Sequence, residues 1–155
     1  MKCLLRNLIA VFLFSGAALA AEANTFLVDI WETAAREDLD EDVRTMHVSL
    51  ESGVMDALFD QGHVFFNIYT NPESVGGAPV PGSALELADE EGADYLLEII
   101  PDDGGVSWRL YRTSGSVEPD GGYVAIDGID EELGLEERWM ALGAALAGDL
   151  LSRAG

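Results

Sequence analysis

The sequence predicts an α/β fold in which a mixed sheet of about five strands is covered by helices, in the order β-α-β-α-β-β-β-α. Two β-rich segments are each followed by a segment with helical spacing, which predicts parallel strands joined by helical crossovers. Three further β-rich segments are separated by turns rich in Gly, Pro and Asp, which predicts an antiparallel meander. A closing segment with a wide apolar face predicts a helix buried against the sheet.

The first half of the domain supplies the crossovers. Thr25 to Trp31 is β-rich and predicts the first strand. From Val43 to Leu58 apolar residues recur every three or four positions after an acidic start, which predicts an amphipathic helix that ends at Gly62. His63 to Tyr69 is apolar on both faces, and this pattern predicts a central strand that is covered on both sides and parallel to the first.

The second half supplies the meander and the closing helix. Ser83 with Glu86 three residues later predicts a capping box at the start of a short helix. Tyr95 to Ile100 and Val106 to Arg112 predict a hairpin, and Tyr123 to Asp127 predicts the third antiparallel strand. The closing helix has two adjacent apolar stripes, which we expect to be buried: Leu135, Trp139, Leu142, Leu146 and Leu150, and then Met140, Ala144, Ala147 and Leu151.

The first twenty residues predict export. Lys2 and Arg6 precede an apolar run, and Ala18-Leu19-Ala20 places small residues where a signal peptidase cleaves. The run is shorter than the roughly 20 residues of a membrane-spanning helix, so a retained anchor is the less favoured alternative. We expect residues 1–20 to be a signal peptide and residues 21–155 to form one domain in the periplasm, with extracellular release as the other possibility.

Charge excludes two classes of partner. Loss of residues 1–20 removes Lys2, Arg6 and Cys3, which leaves six arginines against 29 acids and a net charge of −23. Nucleic acids and anionic lipids bind clustered Lys and Arg, so neither is expected as a partner. This composition is typical of proteins that work in salt. Without cysteine, the domain has no disulfide, thiol nucleophile or Cys-based zinc site.

Catalytic motifs are absent from the sequence. The only histidines, His47 and His63, are sixteen residues apart and form neither a metalloprotease motif nor a recognisable triad. No serine lies in a G-x-S-x-G elbow, and no glycines form a G-x-G-x-x-G loop between a strand and a helix. We therefore expect no catalytic residue, no enzyme activity and no cofactor.

Acidic clusters suggest an alternative function as a calcium or small-molecule binder. The pocket of such a protein would lie between the Pro- and Gly-rich loop from Asn71 to Gly82 and the acidic turns. Neither cluster follows the spacing of a calcium loop, and acids before a helix also serve as caps, so no metal site is assigned. The two clusters are Asp38, Asp40, Glu41 and Asp42, and Asp127, Asp130, Glu131 and Glu132.

One strand combines rare positive charges with aromatic residues. In the predicted strand from Val106 to Arg112, alternation places Arg109 and Tyr111 on one face and Trp108 and Arg112 on the other. Arg and aromatic residues dominate binding interfaces, so Arg109, Tyr111 and Arg112 are the candidate partner surface. The alternative is that both arginines pair with surface acids and relieve repulsion.

Two segments of the sequence resemble those of a known protein family. Leu85 to Leu97 has a helix ending in Gly-Ala-Asp before a strand, and the next strand has an aromatic-Arg-Leu-aromatic pattern before a Ser-Gly turn. These phrases resemble the small α/β domain at the amino terminus of TolB and similar CsgG-like and FlgT-like envelope domains. Leu50 to Phe66 and the closing helix fit the same pattern, although the lipid-attachment cysteine of some relatives is absent. The resemblance implies a non-enzymatic adaptor that binds another envelope protein.

Overall fold

A computed structural model of the protein describes residues 23–31, 40–70, 81–115 and 118–154. Its elements are β1 (Thr25–Trp31), α1 (Glu41–Asp60), β2 (Val64–Thr70), α2 (Pro81–Glu90), β3 (Tyr95–Asp102), β4 (Gly105–Arg112), β5 (Asp120–Ala125) and α3 (Leu135–Ala154). A 3₁₀ turn at Ile126–Gly128 follows β5. The predicted signal peptide, Asp38 of the first acidic cluster, and most of the loop predicted to border a ligand pocket lie outside the described residues.

The five strands form one mixed sheet in the order β2-β1-β3-β4-β5. β1 is parallel to β2 on one side and to β3 on the other, while β3, β4 and β5 are successive antiparallel neighbours. Crossovers through α1 and α2 produce the parallel pairs, and tight turns produce the antiparallel ones. The predicted fold class and element order are confirmed.

Helices lie on both faces of the sheet. α1 and α3 pack side by side on one face, where Leu50, Leu142 and Leu146 meet Phe26 and Trp108 in the larger core. The shorter α2 packs on the other face, where its alanines allow a close approach to β1 and β3 in a smaller core. The two faces are therefore covered unequally.

The prediction of a central second strand is wrong, because β2 forms an edge of the sheet. It is parallel to β1, as expected. Val64 and Phe66 face the α2 side, where they remain 50% and 46% exposed. Apolar residues on both faces of a strand therefore do not establish burial, and here they mark a strand with one neighbour in the described sheet.

Several boundaries differ from the sequence prediction. α2 begins at Pro81, so Ser83 lies within the helix and the predicted capping box is wrong. The last strand ends at Ala125, because the chain turns into the 3₁₀ segment where Asp127 was expected to continue it. Leu135, Met140 and Ala144 of the closing helix are exposed, so its buried stripes are narrower than predicted.

Glycine sets the distance between α1 and α3. A Cβ atom on Gly53 would overlap the carbonyl oxygen of Met140, and one on Gly143 would overlap that of Leu50. The two backbones are therefore in direct contact. Glycine is also favoured at Gly62, which follows the end of α1. Its φ of 83° lies in the left-handed region that favours glycine.

Candidate functional site

Two of the three predicted site residues meet at a buried carboxylate. Glu98 on β3 is fully buried and lies opposite Arg109 of β4. The hydroxyl of Tyr111 donates a hydrogen bond to Glu98 Oε2 at 3.1 Å, and Arg109 Nη1 lies 3.7 Å from the same oxygen. The Tyr111 side chain is buried, whereas Arg109 remains about half exposed. Tyr111 is thus part of the core, whereas Arg109 extends from the buried Glu98 to the surface.

A second buried acid lies in the same row of the sheet. Asp29 on β1 is fully buried and is the register partner of Glu98, which in turn pairs with Arg109. Burial raises the pKa of Glu98, while the hydrogen bond from Tyr111 and the charge of Arg109 lower it by less. Burial and the charge of Glu98 also raise the pKa of Tyr111. The cluster therefore favours the neutral forms of both side chains.

The third predicted residue lies on the opposite face of the sheet. The Arg112 guanidinium lies 5.5 Å from the centroid of the Tyr95 ring, which itself stacks on Phe26. The faces predicted by strand alternation are thus confirmed, and Arg109 and Arg112 diverge from the same strand. A partner that touched both arginines would have to wrap around the sheet.

The histidines and the acidic turns have local structural contacts. His63 Nδ1 accepts a hydrogen bond from the Asn24 amide at 3.2 Å, and its ring packs edge-on against Phe26. His47 is buried in α1, and Asp40 caps the same helix by accepting from the Asp42 amide. Within the described ranges, no group of three His, Cys, Asp or Glu side chains is arranged to hold a metal ion.

A more prominent surface lies along β2. Phe59, at the end of α1, is 70% exposed, and the turn that follows leads into Val64 and Phe66. Phe59 belongs to the helix on the other face of the sheet, whereas Val64 and Phe66 share the α2 side of the strand. We call Val64 and Phe66 the β2-edge patch. No residue of β2 carries a charge, although a quarter of the whole chain is charged. This patch was not predicted from the sequence. The available signal was a strand without charged residues directly after the turn at Gly62.

A groove between α1 and α3 is a concave feature of the described residues. It has a volume of about 330 Å³ and is lined in part by the exposed side chains of Val48 and Met140. Arg44, Glu136 and three hydroxyl side chains also line it: Thr45, Ser49 and Ser52. This mixture of apolar, charged and hydroxyl groups suits a small molecule.

The fold and these surfaces define a mixed α/β domain that has an uncharged edge strand and a buried acidic pair. Among the described residues, no helix has the length and apolarity needed to cross a membrane. No protein-family model and no curated protein matches the sequence.

Two of the solved structures with distant similarity are dodecamers of PelC from Paraburkholderia phytofirmans. One has a TM-score of 0.44 and 15% identity, covering 84% of this chain and 90% of that one. A PelC variant has a TM-score of 0.42 and 13% identity, covering 82% of this chain and 89% of that one. Similarity at this level assigns neither a family nor a function, and the TolB-like resemblance stays a prediction.

Proposed function

We propose that this protein is an exported, non-enzymatic domain of the cell envelope that works in the periplasm by binding another protein. The amino-terminal sequence supports export, because its charged start, short apolar run and A-x-A pattern are those of a signal peptide. The resemblance to TolB-type domains supports an adaptor role. An enzyme is disfavoured by the motifs that the sequence lacks.

The β2-edge patch is the observation that carries this proposal. Large apolar side chains are costly to leave in water, and a cluster of them on a soluble domain commonly marks a contact surface. Here Val64 and Phe66 lie on the same side of one strand and are 50% and 46% exposed, on a protein whose expected mature net charge is −23. A surface rich in acids resists non-specific association, so the patch can remain exposed until its partner binds.

Site-specific crosslinking in the native envelope tests the proposal. A photoreactive amino acid at position 64 is expected to capture one reproducible envelope protein, identified by mass spectrometry. The matched control places the same amino acid at position 144, an exposed site on α3. Equal capture at the two positions, or capture of nothing at position 64, would reject a partner at the β2-edge patch.

Small-molecule binding is the second candidate function, and the groove between α1 and α3 favours it. Met140 and Val48 suit the apolar body of a small ligand, and Arg44, Glu136 and the hydroxyl groups suit its polar groups. Calcium binding remains the other form of this alternative. Melting temperatures measured across a set of small carboxylates, and across a calcium titration, test both, because a ligand that binds the folded state raises the melting temperature.

A further inference from the structure

We propose that the outer side of β2 accepts an extended, cationic segment of the partner as an additional strand of the sheet. This inference rests on the proposed function and deepens it, because it names the surface and the chemistry of the partner. Three independent features of the described residues support it: the direction of the backbone groups of β2, the absence of edge protection, and the local charge.

The backbone of β2 has a defined outward register. The amide of Val64 donates to the carbonyl oxygen of Asn24 at 3.0 Å, next to β1. In a parallel ladder alternate residues direct both their N–H and C=O groups to the same neighbour. Val64 and Phe66 therefore bond towards β1, and the backbone groups of Phe65 point to the outer side. An added strand would pair with Phe65 and continue along β2.

The two edges of the sheet differ in protection. Proteins protect edge strands with charged side chains, proline, bulges or a covering element. β2 runs for seven residues without a charge or a proline, and its pairing with β1 is continuous from Val64 to Thr70. At the opposite edge, β5 begins with the charged Asp120, and Arg153 from α3 donates to the Gly121 carbonyl at 3.1 Å. Only the β2 edge presents an uncharged strand.

Local charge indicates a cationic partner. Residues 45–108, which include β2, contain twelve acids and no lysine or arginine. Glu51 on α1 accepts a hydrogen bond from Asn67 Nδ2 at 2.5 Å, which places a carboxylate beside the strand. Asp60 ends α1 close to the first residue of β2. Lysines or arginines that alternate with apolar residues would meet these acids while the apolar residues cover Val64 and Phe66.

A second copy of this chain is a poorer occupant of the edge. Pairing two β2 strands would bring together two mature domains of net charge −23, and the residues around each strand are acidic as well. Like charges across an interface oppose association, most strongly at low salt. The charge that favours a cationic segment therefore disfavours self-pairing.

A pair of designed peptides tests strand addition. The probe is a labelled, capped peptide in which lysine alternates with valine and threonine, and its binding to the purified mature protein is followed by fluorescence anisotropy. The control peptide has the same sequence and charge, with alternate backbone nitrogens methylated so that it cannot form the ladder. We expect binding of the probe to be at least tenfold tighter, because only the probe can donate to the outward carbonyl groups of β2.

Two variants locate the binding site. Phe66→Lys places a positive charge on the strand and should weaken binding of the probe at least tenfold. Val48→Lys changes the net charge equally at a helical site that is 44% exposed, and it should leave the affinity within about twofold. Circular dichroism confirms that both variants are folded. Hydrogen exchange adds a direct readout, since the Phe65 amide should gain protection with the probe and the Phe66 amide, already bonded to β1, should change little.

Other outcomes would overturn the proposal. Equal affinity for the two peptides would show non-specific attraction to an acidic surface. An equal loss of probe affinity in the Phe66→Lys and Val48→Lys variants would show the same. A dimer that light scattering detects for the native protein and not for Phe66→Lys would replace the cationic segment by a second copy. If crosslinking at position 64 identifies an envelope partner whose binding survives Phe66→Lys, the proposed function stands and strand addition fails. If the probe peptide binds as expected but crosslinking captures no envelope partner, the β2 edge accepts an added strand and the proposed cellular function is wrong.

Discussion

Gly53 of α1 lies directly against the backbone of Met140 in α3, with no room for a side chain between them. Gly143 makes the reciprocal contact with the backbone of Leu50 and with the Val54 nitrogen. Each glycine therefore fits into a space formed by the main chain of the other helix. Main-chain atoms cannot rotate away as the end of a flexible side chain can, so the contact constrains both helices at once.

Substitution of either glycine should separate the helices. We expect Gly53→Ala to lower the free energy of unfolding by about 2–3 kcal/mol, because the new methyl group must displace backbone. Urea denaturation measures the change. Gly148→Ala is the matched control, since a Cβ atom there meets nothing within 4 Å, and alanine should stabilise α3 by up to about 1 kcal/mol. Loss of stability in both variants would argue against the close helix contact.

The buried Glu98 predicts an unusual pH dependence. Its pKa is raised in the folded state, so protonation favours folding, and this contribution is fully present below the unfolded value of about 4.5. It is lost as the pH rises through the folded pKa. Glu98→Gln keeps an acceptor for Tyr111 without the buried charge, so at pH 7 we expect it to be more stable than the native protein by about 1 kcal/mol.

The comparison with an exposed acid isolates the effect of burial. Asp56→Asn removes the same charge from the surface of α1 and controls for relief of overall repulsion. The advantage of Glu98→Gln over Asp56→Asn should shrink as the pH falls towards 4, as measured by urea denaturation across that range. A constant advantage at every pH would show that the Glu98 carboxyl does not titrate with a raised pKa.

Arg153 joins the end of α3 to the sheet. Its guanidinium lies 5.2 Å from the centroid of the Trp108 ring, 3.1 Å from Asp149 Oδ2 and 3.1 Å from the Gly121 carbonyl oxygen. The side chain is half exposed, so we expect Arg153→Ala to cost only about 1 kcal/mol of the free energy of unfolding. Arg153→Lys should recover less than half of this loss, because an ammonium group lacks the planar fork that makes all three contacts.

Salt should stabilise the folded protein. The chain has a net charge of −21, so the folded protein repels itself, and molar NaCl reduces the screening length to about 3 Å. We expect the melting temperature to rise by several degrees between low and molar NaCl at pH 7, as followed by circular dichroism. The rise should be smaller at pH 4, where many carboxylates are protonated. A melting temperature independent of salt at pH 7 would remove the basis for salt adaptation.

Local sequence patterns predicted the elements well and their environment less well. Thr25–Trp31 is a strand with the expected bounds, and Gly62 and Gly92 adopt the positive φ expected of helix ends. Periodicity did not reveal that β2 is an edge, because strand order depends on which face each crossover helix packs against. The same limit explains the exposed Met140, since helical spacing shows where apolar residues align and not how far the neighbouring helix extends.

In the candidate sites, too, local features were predicted from the sequence and features that depend on strand order or register were not. Alternation along β4 correctly separated Arg109 from Arg112, because the direction of side chains in a strand is a local property. The meeting of Arg109 and Tyr111 at Glu98 depends on the register between β3 and β4, and the alignment of Glu98 with Asp29 depends on a crossover. Both acids interrupt apolar strands, and that interruption was the sequence signal for a buried polar pair.

The position of β2 also affects how the molecule fluctuates. Within the described sheet this strand exchanges main-chain hydrogen bonds with β1 alone, whereas β1, β3 and β4 each have two strand neighbours. The other edge strand, β5, also has one neighbour, but Arg153 ties it to α3. Release of β2 breaks one ladder and leaves the glycine contact between α1 and α3 in place, so partial opening of the native state should begin there. An added strand would give β2 a second ladder of main-chain hydrogen bonds. Binding of a partner would therefore make the domain more rigid.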